Sequence, residues 1–257
     1  MDRRIALQGV DNFRDFGGYA AAGGARMRQG QFFRSASHAR ATDSDLDTIG
    51  ALGIGVVVDL RRLAERERDP SRRHPQFSAH VIVNDDESQA DTWYEHIRTS
   101  DLSAEGFGRY MLEYYRDAPF EARHIDLFGR FFDVLETAGT PVLIHCAAGK
   151  DRTGILAALV HHLAGVSRDD AMSDYLLTND PQRLATRMPL IAKAIFDTVG
   201  RTPGEEALKV ALGVAPEYLH AALAAIEAAF GSVDDYLAGP LRLSPARRER
   251  IRERLLE

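Results

Sequence analysis

Val142-Leu143-Ile144-His145-Cys146-Ala147-Ala148-Gly149-Lys150-Asp151-Arg152-Thr153-Gly154-Ile155-Leu156 is the stretch on which the fold turns. It opens with a short apolar run of the kind a strand buried on both faces requires. Three small residues follow, and then Leu156, Leu159, Val160 and Leu163 mark the buried stripe of a helix. Strand, loop and helix in that order put the loop at the carboxyl end of a central strand and at the positive end of a helix, where open α/β sheets bind ligands.

Arg152 follows Cys146 by six positions. A loop of that length can curl around a tetrahedral oxyanion. The backbone N–H groups of Ala147 to Arg152 then point inward and the guanidinium forks onto two phosphate oxygens. Ala147, Ala148 and Gly149 have little side chain to block the approach. A lone cysteine is by default a small buried apolar residue. Here the helix end, Arg152 and Lys150 favour its thiolate and make Cys146 a nucleophile that needs no partner base. Lys150 adds charge beyond what one phosphate monoester needs, which points to a polyanionic substrate; a solvent-facing lysine is the alternative. Thr153 is placed either to hydrogen-bond the sulfur or to cap the helix.

Working outward, residues 31–34, 55–60, 80–83 and 141–145 read as strands. Between the first two, Thr42 is an N-cap with Asp45 at the third helical position, Leu46, Ile49 and Leu52 mark one face, and Gly53 ends the helix. The strand-helix-strand unit implies parallel pairing through a right-handed crossover. Residues 93–139 read as helix, with Tyr110, Leu112, Tyr114 and Tyr115 in one segment and Ile125, Phe128, Phe132 and Leu135 in the next. The aromatic part reads as core or lid packing. The C-terminal third is helical, with Pro181, Pro203, Pro216 and Pro245 each at a first helical position, and Leu219, Leu223, Ile226 and Phe230 in one stripe. No repeat or linker interrupts the chain. The expectation is a single α/β domain over residues 1–257, with a central mostly parallel β-sheet flanked by helices and a helical lid insertion at about residues 87–117.

Composition narrows the function. The 257 residues carry a net charge of −6, which disfavours nucleic-acid binding and requires any anion site to be local. Arg61, Arg62, Arg66, Arg68, Arg72 and Arg73 outnumber Glu65, Glu67 and Asp69 in one stretch, which reads mostly as a solvated face. One cysteine excludes an internal disulfide. No transmembrane segment is expected, since no apolar run approaches about 18 residues. The first residues lack the apolar core of a signal peptide, so a cytoplasmic protein is expected, with export by another route left open. His161 and His162 lack metal-ligand spacing, and neither metal nor cofactor is expected.

His145, Cys146, Arg152 and Thr153 match HC-x5-R-[ST], the signature of the protein tyrosine phosphatase superfamily. The wording His145-Cys146-Ala147-Ala148-Gly149-Lys150-Asp151-Arg152-Thr153-Gly154 goes further. Together with Asn12-Phe13-Arg14-Asp15-Phe16-Gly17-Gly18-Tyr19, Phe33-Arg34-Ser35-Ala36, Val58-Asp59-Leu60-Arg61, Asp174-Tyr175-Leu176-Leu177-Thr178-Asn179 and Gly231-Ser232-Val233-Asp234-Asp235-Tyr236-Leu237, it resembles the bacterial atypical tyrosine phosphatases, which include a secreted mycobacterial branch. The resemblance covers nearly the whole chain. It implies a phosphatase α/β domain with helical lids, acting on phosphotyrosine and also on phosphoserine, phosphothreonine and phosphoinositides, with inorganic phosphate as product. A lysine in this loop is shared with a lipid phosphatase of the superfamily. Cys146 would attack phosphorus, Arg152 and the loop amides would hold the equatorial oxygens, and water would hydrolyse the cysteinyl-phosphate.

A leaving oxygen also needs a proton. Asp151 ranks first, because the resembled family has a catalytic aspartate there. Asp59 follows, as an acid or as the residue that orients Arg152 or Lys150. Asp85 and Asp86 stand where dual-specificity phosphatases place a mobile acid loop. The lid segment would shield the thiolate from oxidation. A rhodanese-type sulfurtransferase is disfavoured by the Arg152-Thr153 pair and the flanks. An inactive phosphate-binding module would have lost the cysteine or the arginine, and both are present.

Overall fold

A computed structural model describes residues 3–86 and 92–257. Among these, the strands are β1 (Arg14–Asp15), β2 (Phe32–Ser35), β3 (Val56–Asp59), β4 (His80–Ile82) and β5 (Val142–His145). The helices begin with α1 (Asp43–Gly50), α2 (Leu63–Arg68), α3 (Thr92–Thr99), α4 (Ala104–Asp117), α5 (Ala122–Thr137) and α6 (Asp151–Ala164). They continue with α7 (Arg168–Leu176), α8 (Pro181–Val199), α9 (Glu205–Leu212), α10 (Pro216–Phe230), α11 (Val233–Ala238) and α12 (Pro245–Leu255).

The sheet order is β1-β2-β5-β3-β4, with β1 antiparallel at one edge and the other four strands parallel. The expected pairing of β2 with β3 is therefore corrected. They are connected through α1, but β5 lies between them and pairs with both. A strand apolar on both faces belongs in the middle, where each edge finds a hydrogen-bonding partner and each face a core. β1 was not foreseen; two residues are too few to show an alternation.

Strand residues divide by parity, as the pleat requires. Phe32, Val56, Val58, Val142 and Ile144 enter the larger core, which α5, α6, α10 and α12 fill. Phe33, Val57 and Leu143 enter a smaller core on the opposite face, with Leu46 of α1. Helix α6 is buried far beyond the expected stripe, with Ile155, Leu156, Ala157, Leu159 and Val160 nearly or wholly inaccessible. A helix surrounded this way is a fixed support for whatever its N-terminus holds.

Helix α1 begins as expected. Thr42 Oγ1 accepts from the Asp45 amide at 3.2 Å and Asp45 Oδ2 accepts from the Thr42 amide at 2.9 Å. Asp45 also accepts from the amides of Gln8 and Gly9, both at 2.8 Å, tying the N-terminal segment to the helix. Asp45→Ala orphans three backbone donors at once and is expected to cost about 2–4 kcal/mol. The urea midpoint should fall accordingly, with Asp45→Asn falling less.

Residues 93–139 are helical as expected, with the two expected segments in α4 and α5 and α3 ahead of them. The first break is at Leu102, whose φ is 60°, before the Ser103 cap of α4; the second is at Pro119. Pro181, Pro216 and Pro245 do open helices, but α9 starts at Glu205 with Gly204 at its N-cap, so Pro203 lies outside it. Glu205 and Glu206 in the first turn suit the positive helix end. A third apolar cluster joins Ile97 of α3, Phe107 of α4, Ile195 of α8 and Leu208 of α9. Among the described residues, no single helix is long and apolar enough to cross a membrane.

Candidate active site

Cys146 leaves the end of β5 and is buried. Gly149 then turns the loop at φ 66°, and a Cβ there would stand 2.4 Å from the Ser35 carbonyl carbon and oxygen. Only glycine fits so close to β2. Four consecutive loop carbonyls have partners, three of them from other segments. Ala147 O accepts from the Ser37 amide at 3.0 Å, and Lys150 O from the Gly154 amide at 2.8 Å. Asn12 Nδ2 donates to Ala148 O at 3.3 Å and Gly149 O at 2.8 Å, and Arg34 Nη2 to Gly149 O at 3.0 Å. Carbonyls held in this way leave the loop's N–H groups, with the first-turn amides of α6, as donors for an anion. Gly149→Ala should lower kcat/KM by about 100-fold with a cooperative unfolding transition retained, because an ångström of loop displacement misplaces every donor.

The flanking motifs meet beneath this loop. Arg14 of β1 donates through Nε to Asp174 Oδ1 at 3.1 Å and through Nη2 to Asp174 O at 2.9 Å, and Arg34 of β2 donates to Asp174 Oδ2 at 2.6 Å. Arg14 also donates to the Asn12 side chain. All three charged side chains are only 1% exposed. Burial would lift the Asp174 carboxyl, but the two guanidiniums hold it below the ordinary carboxylate range.

Arg152 lies in the first turn of α6, gripped in a fork: Nη1 to Glu65 Oε2 at 2.5 Å and Nη2 to Glu65 Oε1 at 2.7 Å, with Nη1 also on Leu60 O at 3.0 Å. Burial works against the Glu65 charge, yet Arg152 holds that carboxyl down at about 2. The residue that orients Arg152 is thus Glu65 and not Asp59. Asp59 faces Arg61 through four hydrogen bonds of 2.7–3.2 Å and lies 3.6 Å from His145 Nε2. Burial, against the pull of Asp59 and with Arg61 and Arg73 nearby, lowers His145 to about 4. Asp85 pairs with Arg66 and is 66% exposed, and Asp86 is exposed as well, so both stand apart from the loop.

Lys150 is neither solvent-facing nor free. Its Nζ donates to Ala211 O at 2.7 Å and Gly213 O at 3.2 Å, at the end of α9, and lies 3.6 Å from Asp151 Oδ1. Burial lowers its pKa and Asp151 opposes that shift. Asp151 is the first residue of α6, so Thr153 sits inside the first turn and is not its cap. The Thr153 hydroxyl is fully buried with no protein partner among the described residues.

The loop forms one end of a cavity of about 500 Å³. Cys146, Ala147, Ala148, Lys150, Asp151 and Arg152 line it, and Asp59, Asp85 and Asp86 do not. Trp93 and Tyr94 of α3, and Tyr110, Met111 and Tyr114 of α4, form one wall. Residues 87–91 of the expected lid lie outside the described residues.

The model of the tyrosine phosphatase family matches residues 5–257. The chain belongs to that family. It is 35% identical over 243 residues to a Cupriavidus necator protein provisionally named a tyrosine-protein phosphatase, covering 94% of this chain and 85% of that one. It is also 35% identical over 259 residues to the triple specificity protein phosphatase PtpB of Mycobacterium tuberculosis, covering 90% and 91%. Among solved structures, the human tyrosine phosphatase-like serine/threonine/tyrosine-interacting protein superposes only partially, at TM-score 0.34 and 14% identity over 70% of this chain and 88% of that one.

Several residues of this tyrosine phosphatase site escaped the sequence reading. Glu65 was hidden among arginines in a stretch read as a solvated face. Helix α8 supplies a second cavity wall through Arg183, Arg187, Leu190, Ile191 and Ala194. Their spacing of four, three, one and three is one helical face, a legible signal, although nothing in it says which cavity the face meets.

Proposed function

We propose that this phosphatase hydrolyses phosphate monoesters through a phosphorylated Cys146, acting on phosphotyrosine and, beyond it, on phosphoserine, phosphothreonine and phosphoinositides. The observation that carries the proposal is the loop itself: buried Cys146 at the end of β5 is followed by a tight glycine turn and the N-terminus of a largely buried helix, beside an arginine locked in a carboxylate fork.

The Cys146 thiolate attacks phosphorus as the bond to the leaving oxygen breaks, and Asp151 gives that oxygen its proton. Arg152 and the amides hold the three equatorial oxygens throughout. Water then attacks phosphorus, Asp151 takes a proton back, and the thiolate departs, releasing inorganic phosphate. Asp151 is preferred to Asp59 because it lines the cavity and Asp59 does not, the Asp59 carboxylate being engaged by Arg61. Substrates with more than one phosphate are supported less by Lys150, whose hydrogen bonds go to backbone carbonyls, than by Arg40 on the cavity wall; Arg183 there also donates to carbonyls, and Arg68 and Arg187 pair with Asp69 and Asp11. The relative named for triple specificity supports the same breadth. Helices α3, α4 and α8 would act as the lid over the thiolate.

Acid quench of a single turnover should trap one phosphoryl group on the peptide carrying Cys146. A panel of phosphotyrosine peptide, phosphothreonine peptide and phosphoinositide vesicles should all release phosphate. Absence of the trapped species at full turnover rules out the covalent route, and turnover of the phosphotyrosine peptide alone rules out the wider range.

A further inference from the structure

Asp151 has two oxygens in different situations. Oδ1 accepts from the Tyr115 hydroxyl at 2.9 Å and faces Lys150 Nζ at 3.6 Å. Among the described residues, Oδ2 has no protein hydrogen bond, and Asp151, its side chain 17% exposed, lines the cavity. The Tyr115 hydroxyl in turn accepts from the Tyr175 hydroxyl at 2.7 Å, and both tyrosines are 1% exposed or less. The three groups thus form one directed chain from the interior to the cavity. Gly154 makes room for it, since a Cβ there would meet Tyr175 Cδ2 at 2.9 Å and Cε2 at 3.0 Å. Burial, with Asp151 beside it, pushes the Tyr115 hydroxyl well above its usual range, which keeps it a donor.

We infer that Tyr115 and Tyr175 are positioning residues for the proton transfer: their hydrogen-bond chain anchors Asp151 Oδ1 in the wall and leaves Oδ2 as the oxygen that carries the proton. The inference rests on reading Asp151 as the acid. When the proton passes from Oδ2 to the leaving oxygen, negative charge develops on the carboxylate. A chain of donors aligned on Oδ1 stabilises that charge more than a single bond would. In the second step the same oxygen takes the proton of the attacking water. A purely packing role would not distinguish one oxygen from the other, nor care how basic the leaving group is.

The test is kcat/KM, which reports bond breaking, for p-nitrophenyl, phenyl and alkyl phosphates with wild type, Tyr115→Phe, Tyr175→Phe and Asp151→Asn. Tyr115→Phe should lose less than about 3-fold on p-nitrophenyl phosphate and about 30-fold on the alkyl ester, whose leaving oxygen depends on the proton. Tyr175→Phe should show the same slope at a smaller amplitude. Adding Tyr115→Phe to Asp151→Asn should cost nothing further, because the two residues act as a unit. If Asp151→Asn shows the slope while Tyr115→Phe falls equally on all three esters, the tyrosine chain is overturned and Asp151 stands as the acid. If Asp151→Asn shows no slope, Asp151 is not the acid and the inference falls with it. Should Tyr115→Phe unfold, Gly154→Ala displaces Tyr175 with both hydroxyls kept, and the same slope is expected; a flat response overturns the chain.

Discussion

Cys146→Ser is expected to lower kcat toward p-nitrophenyl phosphate by roughly 10⁴-fold or more, with binding of inorganic phosphate preserved. In the proposed mechanism the nucleophile has no partner base, only the N-terminus of α6 and Arg152 beside it. A serine hydroxyl ionises far less readily than a thiol, so the same surroundings do not make it a nucleophile. His145 does not substitute as a base, since its buried ring faces Asp59. Phosphate affinity measured by calorimetry should stay within about threefold, because amides and guanidinium are unchanged. Retained turnover in Cys146→Ser would remove the cysteine from the chemistry. Lost phosphate binding would mean that the substitution had damaged the loop itself.

The second large effect lies beneath the loop. Asp174→Ala leaves Arg14 and Arg34 buried against each other and is expected to cost about 3–5 kcal/mol, a fall in Tm of roughly 10 °C for a chain of this size. The pH dependence has a definite sign. The Asp174 carboxyl is held below its ordinary value in the folded state, so its contribution is fully present above the unfolded pKa, near 4, and is lost as pH falls below that. Wild-type Tm should therefore drop on acidification more steeply than that of Asp174→Asn. Replacing all three groups together, with Arg14→Met, Arg34→Met and Asp174→Leu, should recover much of the stability, since apolar groups pack without needing partners. Activity should not return, because Gly149 O loses its Arg34 donor and the loop its anchor. Thermal melts and p-nitrophenyl phosphate turnover on the same preparations separate the two effects.

Much of this was legible in advance. Parity along residues 56–58 and 142–144 divides them between two cores, and the Thr42 and Asp45 pair caps α1 as the residues imply. Residues 145–154 showed their loop because glycine, small residues and a helix stripe follow one another directly. Less was legible where contacts are remote. The expected β2–β3 pairing failed because the strand that intervenes, β5, comes far later in the chain and is invisible to a local pattern. Lys150 read as a charge for substrate, yet α9 captures it, and the arginines facing the cavity come partly from α8.

Local order is what the sequence by itself determined: which runs are strands or helices, where caps and turns fall, and that Cys146 and Arg152 share one loop. Those follow from side-chain periodicity and backbone sterics acting over a few residues. Only the tertiary structure decided the partners of the buried charges. Arg14 meets Asp174 across 160 residues and Arg152 meets Glu65 across 87. With 32 basic and 38 acidic side chains, charge alone allows too many pairings to choose among, and burial around a folded core selects the few that are desolvated together.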